Sequence, residues 1–318
     1  MSRTGVAVIG GGTWGVALAA AAARTGEPTL LYSRRASGNG GALPPGVTRA
    51  DGLADVGKRA RLILFAVPSL HAREVARSLG DFIDGRHFVV HGVRGLAGPE
   101  METVSDIVRE ETPARRVGAL GGPALADDLL AGRPTVMVCG SHYPEVNHAT
   151  CEAFVTPQLR VYTTGDLKGL EWASALVGCL AIGVGFAQGL GLSPGLSAAL
   201  ISRSVQEAAR IAAAAGGDER TLLGLAGYGD LLASITQHGR PEVALGEALS
   251  KGKSVEEAVR ETNQRVEAVE LIPRVVAWAN AQDVRCPIFT ALTQGVLAAR
   301  SPSDIVHELM TGPIEDRP

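Results

Sequence analysis

The strongest constraint in this chain is a short apolar run, Val6 to Ile9, that leads straight into Gly10-Gly11-Gly12-Thr13-Trp14-Gly15 and then into an alanine-rich stretch reaching Arg24. A glycine string alone is a weak signal. Between a strand and a helix it becomes specific, because each glycine answers a different geometric demand. Gly10 permits the tight turn, Gly12 lets the backbone approach a pyrophosphate, and Gly15 lets helix lie close on strand. The helix start at Thr13 and Trp14 then presents free N–H groups to an anion. The expected tenant is a dinucleotide. The bland alternative is a glycine turn that holds nothing.

The pattern continues in the same style. Further apolar runs at Thr29 to Tyr32, Leu62 to Val67, Phe88 to His91, Arg116 to Leu120 and Thr135 to Cys139 alternate with helical stretches such as His71 to Leu79. Such alternation predicts a parallel sheet covered by helices, an α/β dinucleotide-binding domain of Rossmann type. In that fold the end of the second strand meets the adenosine ribose, where a carboxylate suits a free 2′-hydroxyl and arginine suits a 2′-phosphate. Here Ser33-Arg34-Arg35 follows the strand with no acid. Two guanidiniums favour NADP, with NAD as the alternative cofactor; as plain surface arginines they would say nothing. The Gly- and Pro-rich string from Ala36 to Thr48 reads as an exposed loop.

At 318 residues there is room for two domains. After Val161-Tyr162-Thr163-Thr164-Gly165-Asp166 only helical stretches follow, so the expected domains are 1–165, dinucleotide-binding, and 166–318, all-α, with Asp166 as an N-cap. Trp172 to Ser202 carries no charge and is long enough to span a bilayer, yet six glycines and Pro194 interrupt it, which favours a buried core helix broken near Ser193 over a membrane span. No repeat is present. Thirty basic residues against thirty-three acidic give a net charge of −3, too balanced for nucleic acid to be expected as a partner. Cys139, Cys151, Cys179 and Cys286 lie far apart, so neither a metal site nor a disulfide framework is signalled. With a start, Met1-Ser2-Arg3-Thr4, that lacks a signal peptide pattern, the expected location is cytoplasmic.

Several of these segments carry a family resemblance. The form G-x-G-[ST]-W-G resembles NAD(P)-dependent glycerol-3-phosphate dehydrogenases, and the likeness continues in order through Ala66-Val67-Pro68-Ser69, Val93-Arg94-Gly95-Leu96, Gly121-Gly122-Pro123-Ala124-Leu125-Ala126, Gly224 to Leu231 and Cys286-Pro287-Ile288. The resemblance implies a dinucleotide-binding domain followed by a helical substrate domain. It also implies reduction of dihydroxyacetone phosphate, in which a general acid protonates the carbonyl oxygen as hydride arrives.

The same resemblance exposes departures. The family's catalytic lysine lies in A-L-K-N, and that frame here reads Ala175-Leu176-Val177-Gly178. Only Lys58, Lys168, Lys251 and Lys253 exist in the chain, and Lys168 lies nine residues before Val177, about 13.5 Å along a helix and on its opposite face. The family's other lysine becomes Arg94, able to hold an anion but not to titrate. An asparagine becomes Gly195, and the family triplet S-R-N falls on Arg240-Pro241-Glu242. Arg94 and Arg240 remain the candidates for substrate binding. Ala126 and Glu267 match cofactor-side positions, and Asp230 matches the acid beside the lysine. Asp230 also reads as an N-cap for Leu231-Leu232-Ala233, Glu267 as a solvated helix residue, and His91 as either a cleft residue or a structural one.

The resulting expectation is a dehydrogenase-like, NADP-binding protein whose activity on dihydroxyacetone phosphate is lost or severely impaired, serving as a sensor or interaction partner. The alternative is an active oxidoreductase of the family, with the same or a changed substrate. Expected ligands are the dinucleotide and a small phosphorylated molecule, with a homodimer or a protein partner left open.

Overall fold

Strands covered by helices on both faces must be apolar on both sides. That is the case here: Val6, Val8, Leu62, Leu64, Phe88 and Val90 point into one packed layer, and Ala7, Ile9, Ile63, Phe65 and Val89 into the other. The computed structural model describes residues 5–34, 42–98, 100–237, 240–262, 266–296 and 301–311. Within them one sheet comprises β1 (Val6–Ile9), β2 (Thr29–Tyr32), β3 (Val47–Arg49), β4 (Leu62–Phe65), β5 (Phe88–His91), β6 (Arg116–Gly121), β7 (Thr135–Gly140) and β8 (Leu159–Thr164). Its order is β3-β2-β1-β4-β5-β6-β7-β8.

The helices between these strands are α1 (Thr13–Ala23), α2 (Leu53–Arg59), α3 (Ala72–Gly80), α4 (Val104–Glu111), α5 (Ala126–Ala131) and α6 (Pro144–Phe154). Helix α1 presses five small or apolar residues, Ala17, Leu18, Ala19, Ala21 and Ala22, into the first layer, joined by Phe154 of α6. The second layer takes Val56 of α2, Val75 and Leu79 of α3, and Ile107 of α4.

The expectation of a parallel sheet needs one correction, because β6 and β7 pair antiparallel. Helix α5 is short, six residues with about 9 Å of rise against roughly 20 Å for β6, and the chain turns beside the end of β6 and does not cross back to its start. A second correction concerns the loop expected over Ala36 to Thr48: Val47–Arg49 pairs with β2 as a short edge strand, while residues 35–41 lie outside the described residues.

The rest of the chain is helical: α7 (Leu167–Gly189), α8 (Pro194–Ala214), α9 (Glu219–Leu223), a π turn at Leu225–Gly229, α10 (Asp230–Thr236), α11 (Pro241–Ser250), α12 (Val255–Thr262), α13 (Ala268–Ala281), α14 (Pro287–Val296) and α15 (Pro302–Thr311). Ser193 caps α8 by accepting from the Leu196 N–H at 3.4 Å, so the uncharged segment does break there. Helix α7 is long and apolar enough to cross a membrane, but 89% of its most apolar stretch is buried inside the protein. Glycines let it lie close to its neighbours: a side chain on Gly185 would collide with the Val243 carbonyl of α11, and one on Gly183 would meet Leu292 of α14. Trp172 packs on Trp278 of α13, ring centres 4.6 Å apart. Glu207, buried on α8, accepts from the N–H groups of Ile288 and Phe289 at 3.0 and 2.7 Å and so caps α14.

The chain divides into two compact units, Met1–Gly98 with Glu102–Glu171, and Pro99–Met101 with Trp172–Pro318. The first turn of α7 therefore belongs with the sheet. Asp166 caps it through the Gly169 N–H at 2.9 Å, as expected. Glu171 anchors it, accepting from His91 Nε2 on β5, from the Ser105 N–H and from the Ser105 hydroxyl, each at 2.8 Å, with all three residues buried.

Candidate functional site

In an open α/β sheet the ligand crevice forms where neighbouring strands send their connections to opposite faces. The strand order places that point between β1 and β4, and the first unit has a cleft of about 480 Å³ there. It is lined by the turn Gly10–Gly11–Gly12–Thr13 after β1, Ser33 and Arg34 after β2, Ala66–Val67–Pro68 after β4, and His71, Glu74 and Ser78 beyond. Its size falls in the range of small-ligand and cofactor sites.

The glycines meet the demands read from the sequence. Gly10 has φ +131°, a conformation that side chains rarely adopt, and a β-carbon on it would collide with the Ala66 carbonyl. A β-carbon on Gly12 would meet nothing within 4 Å, because the space above it is the open cleft. Gly12 is also the residue before α1, and no side chain caps that helix, so its first N–H groups face a space that an anion can enter. A β-carbon on Gly15 would run into the Gly10 carbonyl, which explains the close approach of α1 to the turn. A dinucleotide's pyrophosphate fits these residues. Trp14 does not line the cleft; its indole edge lies against Gly92 after β5 and joins the core.

At the other end of the cleft, Ser33 sits so close to Gly11 that a β-carbon there would meet its hydroxyl at 2.6 Å. Arg34 extends from β2 to Glu74 of α3, Nη1 to Oε1 at 2.8 Å. His71 Nδ1 stands 3.8 Å from the other oxygen of Glu74. Arg35 lies outside the described residues. Ala126 opens α5 and packs on the sheet core. Neither His71 nor Glu74 was legible from the sequence, since they come from the turn before α3 and from α3 itself, Glu74 lying 40 residues beyond Arg34; the amphipathic stretch after Pro68 was the available signal.

His91 is structural. Its Nδ1 receives the Val93 N–H at 3.4 Å and its Nε2 points to Glu171, so both ring nitrogens are occupied in a buried network. Arg94 follows in the same loop, half-buried.

The remaining candidates lie in the helical unit. Val177 is 1% exposed on α7, and Lys168, the nearest lysine, is exposed, as opposite faces of one helix require. Gly178 faces the start of α13, where a β-carbon would lie 3.6 Å from that of Ala268. Asp230 is fully buried, and its reading as an N-cap is corrected: its backbone is already helical, continuous with the π turn before it, and its carboxylate lies 3.5 Å from the Ser234 hydroxyl. Arg240 precedes α11 and donates from Nε to Glu242 Oε2 at 2.7 Å, an ion pair closed within one turn. Glu267 precedes α13, half-buried, without capping it. Burial pushes the Cys139 thiol up to about 12 and raises Cys179, Cys151 and Cys286 as well, so none is poised as a thiolate.

Comparison with known proteins adds the family. A sequence profile for the NAD-dependent glycerol-3-phosphate dehydrogenase N-terminus matches residues 37–147, and the corresponding C-terminus profile matches 166–307. Glycerol-3-phosphate dehydrogenase (NAD(P)+) of Fusobacterium nucleatum is 30% identical, covering 96% of each chain. The Moorella thermoacetica protein of the same name is 32% identical, over 98% of this chain and 97% of its own. The crystal structure of glycerol-3-phosphate dehydrogenase from Coxiella burnetii superposes with a TM-score of 0.90 at 27% identity, covering 97% of this chain and 99% of that one. The Plasmodium falciparum enzyme shares the fold, TM-score 0.90 at 18% identity. Agreement this long and in this order involves both halves at once: the chain belongs to the NAD-dependent glycerol-3-phosphate dehydrogenase family.

Proposed function

We propose that this chain is an NADP-binding member of its family whose reduction of dihydroxyacetone phosphate is lost or severely impaired, and that it works as a dinucleotide sensor or interaction partner in the cytoplasm. The observation that carries this reading is Val177: at the place matching the family's catalytic lysine stands an aliphatic side chain, 1% exposed, with no second lysine on that face of α7. A bound reduced nicotinamide supplies hydride, but the carbonyl oxygen also needs a proton, and valine holds none. General acid catalysis is typically worth ~10² to 10⁴-fold, about 3 to 5 kcal/mol of barrier. Arg240, matched to a substrate-binding triplet, is further committed to Glu242, whose carboxylate repels a phosphate.

A second reading, an active oxidoreductase with the same or a changed substrate, is supported by the complete glycine cradle and the retained, buried Asp230. One sample decides between them. NADPH titrated by calorimetry should bind, and the same protein given dihydroxyacetone phosphate should oxidise NADPH only at a trace rate. Turnover at a rate ordinary for a dehydrogenase overturns the proposal; failure to bind either NADPH or NADH overturns both readings.

A further inference from the structure

The arginine end of the cleft is already electrically occupied. Arg34 holds Glu74 across 40 residues at 2.8 Å, with side chains 53% and 61% exposed, and His71 faces the second oxygen of the same carboxylate at 3.8 Å. The other polar side chains lining this end, Tyr32, Ser33 and Ser78, carry hydroxyls. The neighbouring cations of α3 are engaged elsewhere: Arg73 with Glu102, Glu110 and Glu111, and Arg77 with Glu111. Among the described residues, the charged and ionisable groups bearing on an incoming adenosine ribose at this end are therefore Arg34, Glu74 and His71.

Two ligands meet this arrangement differently. A 2′-phosphate brings about −1.5 to −2 charges at neutral pH, and it can take Arg34 only by displacing Glu74, another anion. A free 2′-hydroxyl asks for no such exchange. It can donate to Glu74 while the carboxylate keeps its arginine. An exposed ion pair is weak enough to open without unfolding anything, so both ligands can enter, at different cost.

Resting on the NADP reading above, we infer that Glu74 is the specificity-determining residue of this cleft: it acts as a built-in competitor of the 2′-phosphate, lowers the preference that Arg34 and Arg35 would otherwise give, and keeps the unphosphorylated dinucleotide acceptable. The role comes from α3, outside the glycine motif, through the Arg34–Glu74–His71 juxtaposition.

The test compares dissociation constants of NADPH and NADH, by calorimetry, for the unaltered chain, Glu74→Gln and the double variant Arg34→Ala/Arg35→Ala, with circular dichroism confirming each fold. Glu74→Gln should tighten NADPH about tenfold, the factor set by ~1.4 kcal/mol, and leave NADH within about threefold. Raised salt should shrink that difference. If the double arginine variant collapses the NADPH-to-NADH ratio while Glu74→Gln leaves it unchanged, or shifts both ligands equally, the role of Glu74 is overturned and the NADP reading stands. If the double arginine variant leaves the ratio untouched, the NADP reading itself fails and the inference with it.

Discussion

Gly12 and Val177 are single positions where one side chain decides what the surrounding structure can do. Above Gly12 the cleft is open, so Gly12→Val should fold normally, since a β-carbon there has no neighbour within 4 Å, while the side chain fills volume a pyrophosphate needs. Circular dichroism should be unchanged and NADPH binding abolished by calorimetry; normal affinity would reduce the glycine turn to a structural device. Val177 is the reverse case, a packed position that would have to accept a charge. Replacing it by lysine with Gly178→Asn should lower stability by at least about 2 kcal/mol in thermal melts, because a buried ammonium lacks the water it loses. If some turnover of dihydroxyacetone phosphate appears despite that loss, the rest of the substrate site is intact. If none appears at matched folded fraction, a lysine at 177 is not enough to restore the reaction.

Among the elements, the start of α7 is the most heavily tied. Glu171 satisfies three donors from β5 and α4, so Glu171→Ala leaves His91 and the Ser105 N–H buried without an acceptor, while the Ser105 hydroxyl keeps Thr103, at a cost of about 3 kcal/mol in urea unfolding. Glu171→Gln, which keeps one carbonyl oxygen, should cost clearly less; equal losses would mean that shape and not hydrogen bonding matters there. This anchor was not visible in the sequence, because its partners are 66 and 80 residues away. Elements with an unbroken apolar run were legible: β1, β2 and β5 have the bounds expected of them. Others were hidden for identifiable reasons. The edge strand β3 buries one residue of three, β8 alternates buried and exposed and was read as the approach to the domain boundary, and α2 contains Gly57, required where its backbone meets the Phe82 carbonyl. In the site, the glycine cradle was readable since each glycine serves a local backbone need, whereas Glu74 and His71 acquire meaning only through tertiary placement.

Considered over the whole molecule, the chemistry available is narrow. The described residues offer no group of metal-ligating side chains, and the four thiols all have raised pKa values through burial. A raised thiol stays protonated until the pH passes its folded value. At pH 8 the native chain should therefore react with a thiol reagent far more slowly than the unfolded chain, which should titrate four. Rapid labelling of Cys139 or Cys179 in the native state would show that the core opens around them. With lysine so scarce and the thiols held protonated, the polar side chains left to the cleft of the first unit are arginine, carboxylate, histidine and hydroxyl groups, beside its backbone amides.

Helix α7 runs without a break from Leu167 to Gly189, although the two compact units divide after Glu171. One helix thus serves both units: its first turn is spoken for by one, and its remainder is the spine of the other. Cutting the chain at 165 would strip His91 and Ser105 of their acceptor; cutting it at 171 would leave a helix of barely one turn. Neither half can be lifted out as an interchangeable cassette, because every cut near the join either strips buried donors of Glu171 or shortens α7.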